Sequence, residues 1–466
     1  MNSCTRGLFG VGLLTAAGAV GFAFFADARP LAPSPANPAA AAIPAQGENP
    51  KPVHLVRPPA RPLSAMAQLG RLVFFDARLS SSGRLSCASC HSPQLAYAAP
   101  GDQPAMHGGP LLARQGVRAV PSLMYLERQP SFSIGPDNEE NENVNLAELV
   151  ALSRRAVRLE KTAAQPSQSA ANIVPQGGLF WDGRADTLQD QALSPLLDPR
   201  EMDGGNIETV AGKLQHAPYA ARLVELFGAS VFDNARLAVS EALFAVARYQ
   251  IEDPSFHPYT SKYDYWLEGS ARFTPREWRG YVLFNDPAKA NCAGCHVDQP
   301  GRDGLPPLFT DHQFEALGAP RNGALAVNRD SGYFDLGICG PYRADMSGET
   351  RYCGMFMTPT LRNVATRRVF FHNGVFRTLR QVMDFYDFRD TEPQRIYPRL
   401  ADGAVQKFND LRPGYVANVD VTDAPFDRKA GDRPAMTAQD EEDIIAFLNT
   451  LTDGYRPIGK FNAVRR

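Results

Sequence analysis

Apolar residues recur at helical spacing in several segments of the chain, and each of these segments starts at a residue that can cap a helix. SAMAQLGRLVFFD (64–76) starts at Ser64, and TPREWRGYVLFND (274–286) starts at Thr274 with proline at the first helical position. A further amphipathic helix begins after Thr437 and carries acidic residues in its first turn. Alternation of β type is scarce, so the pattern predicts a mainly α-helical protein.

The first two of these helices each run into a loop that carries a CxxCH motif. The motifs are CASCH at 87–91 and CAGCH at 292–296. CxxCH is the attachment signature of c-type haem, in which two thiols bind the haem vinyl groups and the histidine binds the iron. A zinc site would need further paired ligands, and a redox CxxC pair does not need the histidine. We therefore expect two covalent haems c, held by Cys87, Cys90 and His91 and by Cys292, Cys295 and His296.

The order of helix, loop, haem box and helical tail occurs twice in the chain. The repetition predicts two cytochrome-c-like haem domains, with the haems near the domain interface. We place the N-terminal haem domain at 63–255, with an insert at 131–175, and the C-terminal haem domain at 256–466. The insert is acidic and then basic, which favours a solvated loop and helix.

The N-terminus has the pattern of an export signal. Arg6 precedes the apolar run LFGVGLLTAAGAVGFAFF, and small residues follow. Residues 1–28 are therefore predicted to be a signal peptide or, alternatively, an uncleaved anchor that would tether the protein to a membrane. Residues 29–62 are rich in Pro and Ala and are predicted to form a linker. We expect a periplasmic protein, and a net charge of -2 without a basic stripe argues against a nucleic-acid partner.

Two of the seven cysteines remain after the haem boxes and the export signal, which contains Cys4, are set aside. Cys339 and Cys353 lie in a glycine-rich stretch. In an oxidising compartment they are expected to form a disulfide that closes a short loop, the alternative being two free thiols.

Long stretches of the chain resemble the di-haem cytochrome c peroxidase and MauG superfamily. The stretches are LGRLVFFDARLSSSGRLSCASCH, FWDGRADTLQDQALSPLLDPREM, FNDPAKANCAGCH and MTPTLRNVATRRVFFHNGVFRTLRQVMDFY. The resemblance runs from about residue 65 to the C-terminus and is interrupted by the insert. It implies that His91 binds the haem at which peroxide reacts, and that His296 binds a second haem that stores or relays electrons. It also implies that Trp181 carries charge between the two irons, although a core-packing role is the plainer alternative.

The resemblance further assigns Gln191 and Glu201 to the pocket where peroxide binds. The carboxyl group would take a proton from one peroxide oxygen and deliver it to the other as the O–O bond breaks. Gln191 can hydrogen-bond a bound oxygen species. Without the family context, Glu201 would be taken for a solvated surface charge.

The sixth ligand of the second haem separates the subtypes of the family. It is methionine in the peroxidases and tyrosine in MauG, fourteen residues beyond a histidine that corresponds to His372, and the count reaches Tyr386. Thr378 and Gln381 predict a capping box at the start of this helix. One helix face then carries Leu379, Val382, Met383 and Tyr386. Met383 is the runner-up ligand, and Tyr386 as an ordinary core aromatic is the plainest alternative.

Tyrosine ligation implies a MauG-like subtype. A phenolate favours the higher oxidation states of iron, whereas a thioether favours the ferrous state. Peroxide would then oxidise the two haems by two equivalents in total and produce a shared high-valent state.

The chain departs from the family at three places. The family's calcium-binding asparagine is missing from Arg118-Ala-Val-Pro121, and Arg367 stands where a calcium-binding threonine is expected, so we predict that calcium is absent and that a guanidinium replaces it. His107 lies near the position of a histidine that blocks the first iron in some members, but its spacing fits poorly, and an open first iron is expected. The tryptophan that MauG places just before its second haem box is absent, so maturation of methylamine dehydrogenase is not implied.

The resemblance therefore implies, as the leading hypothesis, a di-haem peroxidase of the MauG type that reduces hydrogen peroxide with electrons from a periplasmic protein or a small donor. One alternative uses the same haem chemistry to oxidise side chains of a partner protein. A second, non-enzymatic alternative is an electron carrier with two six-coordinate haems, which would not need Gln191 or Glu201. His54, His216, His257 and His312 have no motif context and are assigned no role.

Overall fold

The computed structural model describes residues 47–136 and 173–457. The export segment 1–28, the linker up to residue 46 and most of the predicted insert lie outside these ranges. Within them the chain is mainly helical, which confirms the predicted mainly α-helical class, and the arrangement of two haem domains stays a prediction. The helices are α1 (Ala65–Phe74), α2 (Cys87–Cys90), α3 (Leu188–Leu197), α4 (Ile207–Gln215), α5 (Ala220–Phe227), α6 (Ala235–Glu252), α7 (Lys262–Leu267), α8 (Pro275–Phe284), α9 (Cys292–Cys295), α10 (Leu379–Phe388) and α11 (Ala438–Asn449).

The strands of the described chain are two to four residues long and pair only in antiparallel twos. They are β1 (His107–Gly108) with β2 (Arg114–Gln115), β3 (Ser133–Pro136) with β4 (Ile173–Gln176), and β5 (Phe314–Glu315) with β6 (Phe356–Met357). Strands β3 and β4 flank residues 137–172, so the two described ends of the predicted insert pair with each other. In the same described ranges, no helix is long and apolar enough to span a membrane.

The predicted helix starts are confirmed by their N-caps. The hydroxyls of Ser64, Thr274 and Thr437 each accept a backbone N–H three residues ahead, which satisfies one of the unpaired donors at a helix start. Thr378 caps α10 in the same way. The capping box predicted there is wrong in one bond, because the side chain of Gln381 accepts the N–H of Arg377, at 2.6 Å, and not that of the cap residue.

Two helix crossings repeat the same close contact. A Cβ atom on Gly70 of α1 would overlap the carbonyl oxygen of Ala245 in α6, and one on Gly280 of α8 would overlap the carbonyl oxygen of Asp443 in α11. Both glycines stand six residues after the N-cap of their helix. The absence of a side chain allows each pair of backbones to touch, so the two halves of the sequence build the same helix pair.

Two large hydrophobic cores surround these crossings. The first contains residues of α1 and α6 such as Leu69, Phe74 and Val246, and the second contains residues of α8 and α11 such as Phe284 and Phe447. Both cores belong to one compact unit of the chain, and the boundary after residue 255 therefore stays a prediction.

A smaller core surrounds the predicted disulfide. The sulfur atoms of Cys339 and Cys353 are bonded, and both residues are buried together with Ile338 and Tyr352. The pairing expected from the cysteine census is confirmed.

Candidate functional site

The second CxxCH motif presents its histidine in the form that binds a metal. The one-turn helix α9 ends at Cys295, and Nδ1 of His296 lies 2.9 Å from the carbonyl oxygen of Phe309. A carbonyl only accepts, so Nδ1 carries the hydrogen and Nε2 keeps its lone pair. Burial lowers the pKa of His296 to about 4, so the ring is neutral near pH 7. A neutral imidazole whose other nitrogen is tied to a carbonyl is the usual state of a metal ligand.

The first motif has the same arrangement. Nδ1 of His91 lies 3.2 Å from the carbonyl oxygen of Tyr97, and burial, together with the nearby charge of Arg367, lowers the pKa of His91 to about 4. Burial raises the pKa of the Cys87 and Cys90 thiols to about 12. All four cysteines of the two motifs are free, so each motif holds two thiols and a neutral imidazole as covalent haem attachment requires.

A cavity of about 860 Å³ opens beside the second motif. Cys292, Cys295 and His296 line it together with the four residues predicted to share one face of α10, which are Leu379, Val382, Met383 and Tyr386. Its volume lies within the range of pockets that hold large organic ligands. The cavity and its donor set fit a haem bound at His296.

Tyr386 is half-buried and lines the large cavity beside the second motif. Its ring stacks on Phe426 at a centroid distance of 5.3 Å, and Phe426 also lines the cavity. Burial and the neighbouring Cys295 and Cys292 thiols raise the pKa of the Tyr386 phenol, so ionisation there would need a cation such as ferric iron beside the oxygen. Met383 reaches the same cavity, and ligation by Tyr386 stays a prediction.

A second cavity lies beside the first motif and is much narrower, about 60 Å³. Cys87, Cys90 and His91 line it with Gln191 and Glu201. Gln191 lines both cavities. At this motif the fit to a haem therefore rests on the donor set and not on the free volume.

Glu201 faces the narrow cavity from the turn after α3. The residue keeps an exposed surface, while protein atoms crowd around its carboxyl group at the narrow cavity. Burial, with the charge of Asp198 as a second cause, raises the pKa of Glu201 to about 7. A carboxyl group with a pKa near neutrality can both accept and return a proton at working pH.

Strand β1 fixes the backbone at Glu201. The N–H of Gly109 donates to the carbonyl of Glu201 at 2.9 Å, and a Cβ atom on Gly108 would overlap that same carbonyl oxygen. Glycine is required at 108 by this close approach. His107, in the same strand, is half-buried and is absent from the residues that line either cavity, so its role at the first iron remains untested.

Each backbone carbonyl group of the segment from Ala119 to Pro121 contacts a side chain from another part of the chain. The indole Nε1 of Trp181 donates to the carbonyl of Ala119 at 2.8 Å, and Nη2 of Arg367 donates to the carbonyl of Val120 at 2.9 Å. The carbonyl of Pro121 interacts with the His91 ring. Trp181 and Arg367 also line the large cavity, so the predicted bridging residue and the predicted calcium substitute occupy one region.

A buried ion network stands beside this segment and was not predicted from the sequence. Arg118 makes two hydrogen bonds of 2.7 Å to Asp335 and one of 2.7 Å to Asp182, which also pairs with Arg184. Asp335 lies 217 residues away in the chain, so no local pattern could reveal the pair. The one available signal was the position of Asp182 directly after Trp181.

Two further cavity residues were also missed. Gln250 of α6 is buried, lines the narrow cavity and has no hydrogen-bond partner for its Oε1 atom. His312 lines the large cavity, and its Nδ1 lies 2.9 Å from Oε1 of Gln129. Burial lowers the pKa of His312 to about 4. Neither residue stands in a motif.

Comparison with known proteins places the chain among di-haem enzymes. Residues 64–272 match the family model for di-haem cytochrome c peroxidase. The chain is 30% identical over 415 residues to the methylamine utilization protein MauG of Paracoccus denitrificans, covering 86% of this chain and 92% of that protein. It is 26% identical over 360 residues to the cytochrome c551 peroxidase of Nitrosomonas europaea, covering 74% of this chain and 79% of that one. The crystal structure of the diheme peroxidase BthA from Burkholderia thailandensis matches with a TM-score of 0.71 and 34% identity, over 88% of this chain and 91% of that chain.

Proposed function

Because this chain belongs to the di-haem cytochrome c peroxidase and MauG family, we propose that it is a periplasmic enzyme of the MauG type that reduces hydrogen peroxide. Family membership makes the chain an oxidoreductase and implies two haem c cofactors. The observation that supports the peroxidase proposal most is Glu201, a cavity carboxyl group with a pKa of about 7, beside Cys87, Cys90 and His91.

The residues that would hold the cofactors follow from the two motifs. The first haem would be held by Cys87, Cys90 and His91, and the second by Cys292, Cys295, His296 and Tyr386. When bound, the haems would supply the iron that takes up peroxide and the capacity to store two oxidising equivalents.

Glu201 would transfer the proton during peroxide cleavage, and Gln191 would hydrogen-bond the substrate. Above pH 7 the Glu201 carboxylate can accept the proton of one peroxide oxygen, and as the acid it can return that proton to the other oxygen. The Gln191 amide can donate a hydrogen bond to the same substrate, and its place on both cavities keeps it within the site. The geometry of these two groups and the protonation state of Glu201 would set the rate of O–O cleavage.

Trp181 would pass charge between the haem sites. Its hydrogen bond to Ala119 and its place on the large cavity hold the indole in one orientation. Tyr386 would favour oxidised iron at the second site, which is the basis for proposing the MauG subtype over the methionine-ligated peroxidases. Met383 remains the second candidate ligand on the same helix face.

We further propose that the region between the haem sites holds no calcium. The guanidinium of Arg367 contacts the carbonyl of Val120 there, and a fixed positive charge can replace a cation. Metal analysis of the purified protein is the direct check, and one tightly held calcium ion per chain would contradict the proposal.

We propose the reaction partners only by chemical class. The oxidant is hydrogen peroxide, and the electrons come from a periplasmic protein or a small donor. The use of the same oxidising equivalents on side chains of a partner protein is the closest alternative. Residues 1–28 would serve for export or as an N-terminal tether.

Cyanide binding to the ferric protein tests the enzymatic proposal against the electron carrier. An enzyme needs one open iron, so cyanide should bind rapidly at one haem and leave the other unchanged. Two haems that both resist cyanide would show two six-coordinate irons and would overturn the proposal. Glu201→Gln should leave cyanide binding unchanged while slowing the reaction with peroxide. The variant therefore distinguishes access of a ligand to the iron from catalysis of peroxide cleavage.

A further inference from the structure

We propose that Tyr97 and Tyr249 are a redox-active pair, in which a phenol beside the first haem motif is oxidised to a neutral tyrosyl radical and stores one oxidising equivalent. The inference rests on the proposed function, because hydrogen peroxide supplies that equivalent at the haem. It gives a role to two buried phenols that the proton chemistry at Glu201 does not use.

Tyr97 is joined to the first haem motif by its own backbone. Its carbonyl oxygen lies 3.2 Å from Nδ1 of His91 and orients that ring. The centroid of the buried Tyr97 ring lies 6.2 Å from that of Phe74, which lines the narrow cavity. The ring of Tyr249 lies 5.6 Å from Phe74. Both phenols are therefore packed against an aromatic ring that lines the cavity.

The second motif has the same arrangement of rings without a hydroxyl group beside its histidine. Nδ1 of His296 lies 2.9 Å from the carbonyl of Phe309, so phenylalanine stands where the first motif has Tyr97. Phe309 lies 6.1 Å from Phe284, and Phe284 lines the large cavity. Phe284 ends α8 as Phe74 ends α1. The orientation of the histidine therefore does not require a tyrosine.

Tyr249 also has a phenylalanine counterpart, which is Phe447 of α11. Each of the two stands four residues after the residue whose carbonyl meets the glycine of its helix crossing. Phe447 lies 5.0 Å from Phe284, close to the 5.6 Å between Tyr249 and Phe74. Phenylalanine thus satisfies the packing at both positions of the second site. The two hydroxyl groups are added at the first site, where peroxide is proposed to react.

The hydroxyl of Tyr97 leads out of the core. It lies 2.6 Å from Oγ of Ser255, which is an exposed residue. Burial raises the pKa of the Tyr97 phenol, so the group is protonated at rest and must release a proton when it loses an electron. Asp253 accepts the N–H of Ser255 at 2.9 Å, and its negative charge acts on both phenols. That charge favours loss of an electron from the pair.

The atoms and electrons of the step balance among named groups. The O–H bond of Tyr97 breaks, its electron reduces the peroxide-oxidised first haem site by one equivalent, and its proton passes to Ser255 and water. Burial and the neighbouring Tyr97 phenol raise the pKa of Tyr249, so the two phenols interact. A hydrogen atom from Tyr249 can therefore restore the Tyr97 hydroxyl and move the radical to Tyr249. One electron from the proposed donor and a proton from water return the pair to rest.

Electron paramagnetic resonance tests the pair in the full chain, loaded with two haems and frozen after peroxide without a reductant. The unsubstituted protein should show a radical signal whose hyperfine pattern narrows when its tyrosines carry ring deuterium. The Tyr97→Phe, Tyr249→Phe double variant should lose most of that signal and keep its haem content, because phenylalanine fills both positions at the second site. The matched control is Tyr263→Phe, which should keep the signal. Tyr263 packs on Phe309 at 5.0 Å, and its hydroxyl donates to the carbonyl of the buried Asp298.

A tyrosyl signal of full size in the double variant would overturn the pair. So would the absence of that signal from the unsubstituted protein while its haem spectra respond to peroxide, and neither result affects the proposed function. Haem spectra that do not respond to peroxide would reject the proposed function and this role with it. Tyr97→Phe alone gives a second reading if the double variant binds less haem: a weaker signal supports the pair, and an undiminished one contradicts it. Ser255→Ala should slow the appearance of the radical, and an unchanged rate would contradict the proton path.

Discussion

The indole nitrogen of Trp181 donates a 2.8 Å hydrogen bond to the carbonyl oxygen of Ala119. The N–H of Ala119 in turn donates to the carbonyl of His372 at 2.7 Å, and two residues later the carbonyl of Pro121 meets the ring of His91. The indole is therefore tied, through three residues of backbone, to the histidine of the first haem motif. It also lines the cavity that holds the histidine of the second motif.

Replacement of Trp181 by Phe should interrupt charge transfer between the haem sites without unfolding the protein. The lost hydrogen bond costs only about 0.5–1.5 kcal/mol, and the aromatic ring is retained. Stopped-flow spectra should show a first haem that still reacts with peroxide and a second haem whose response is slowed. Trp278→Phe is the control, because Trp278 belongs to the second core and not to the cavity lining. A second haem that responds at the unsubstituted rate in Trp181→Phe would rule out the relay.

The rate of the peroxide reaction should fall as the pH drops through about 7. Burial raises the pKa of Glu201 to about 7, so below that pH the carboxyl is protonated and cannot act as the base. Glu201→Gln should remove this pH step and lower the rate by about 100- to 10,000-fold. Asp198→Asn should move the step to lower pH, because the charge of Asp198 is one cause of the raised pKa. A Glu201→Gln variant with the original rate and pH profile would exclude a catalytic role.

Gly108→Ala should slow the peroxide reaction although residue 108 contacts no substrate. The added methyl group would overlap the carbonyl oxygen of Glu201 and displace the backbone that aims its carboxyl group. Overpacking of this kind typically costs about 1–3 kcal/mol. Gly212→Ala is the control, since an added Cβ there has no neighbour within 4 Å. Equal peroxide rates in both variants would show that the position of Glu201 does not depend on strand β1.

Removal of the Cys339–Cys353 disulfide should destabilise the protein and leave its haem content unchanged. The bond joins residues separated by 14 positions, and closing a loop of that size contributes about 3 kcal/mol in the chain-entropy account. The Cys339→Ser, Cys353→Ser double variant should unfold at lower denaturant concentration. The same midpoint with and without the bond would show that the small core around it is stable by packing alone.

Features set by neighbouring residues could be predicted from the sequence. Helix starts at Ser64 and Thr274 depend on a hydroxyl and an N–H three residues ahead, so the pattern contains the whole interaction. The face of α10 was predicted from helical spacing and does line one cavity. The second bond of the capping box at Thr378 failed because a competing donor, the N–H of Arg377, lies within reach of the same side chain.

Features set by distant residues could not be predicted in this way. The buried pair of Arg118 and Asp335 joins positions 217 residues apart, and a charged residue gives no local sign of its partner. The helical pattern around Gln250 indicates which residues of the helix pack in the core. It does not show that the Gln250 side chain lines the narrow cavity. The pKa of Glu201 depends on burial, which only the folded chain determines.

The most direct test of the central claim is the electron paramagnetic resonance spectrum of the ferric protein before and after one equivalent of hydrogen peroxide, recorded also for Tyr386→Phe and Met383→Leu. The unsubstituted protein should show one open, high-spin iron and one six-coordinate iron, with both signals changed by peroxide. Tyr386→Phe should lose the six-coordinate signal, and Met383→Leu should keep it. A protein with one haem per chain, or a six-coordinate signal that disappears with Met383 and persists without Tyr386, would contradict the account.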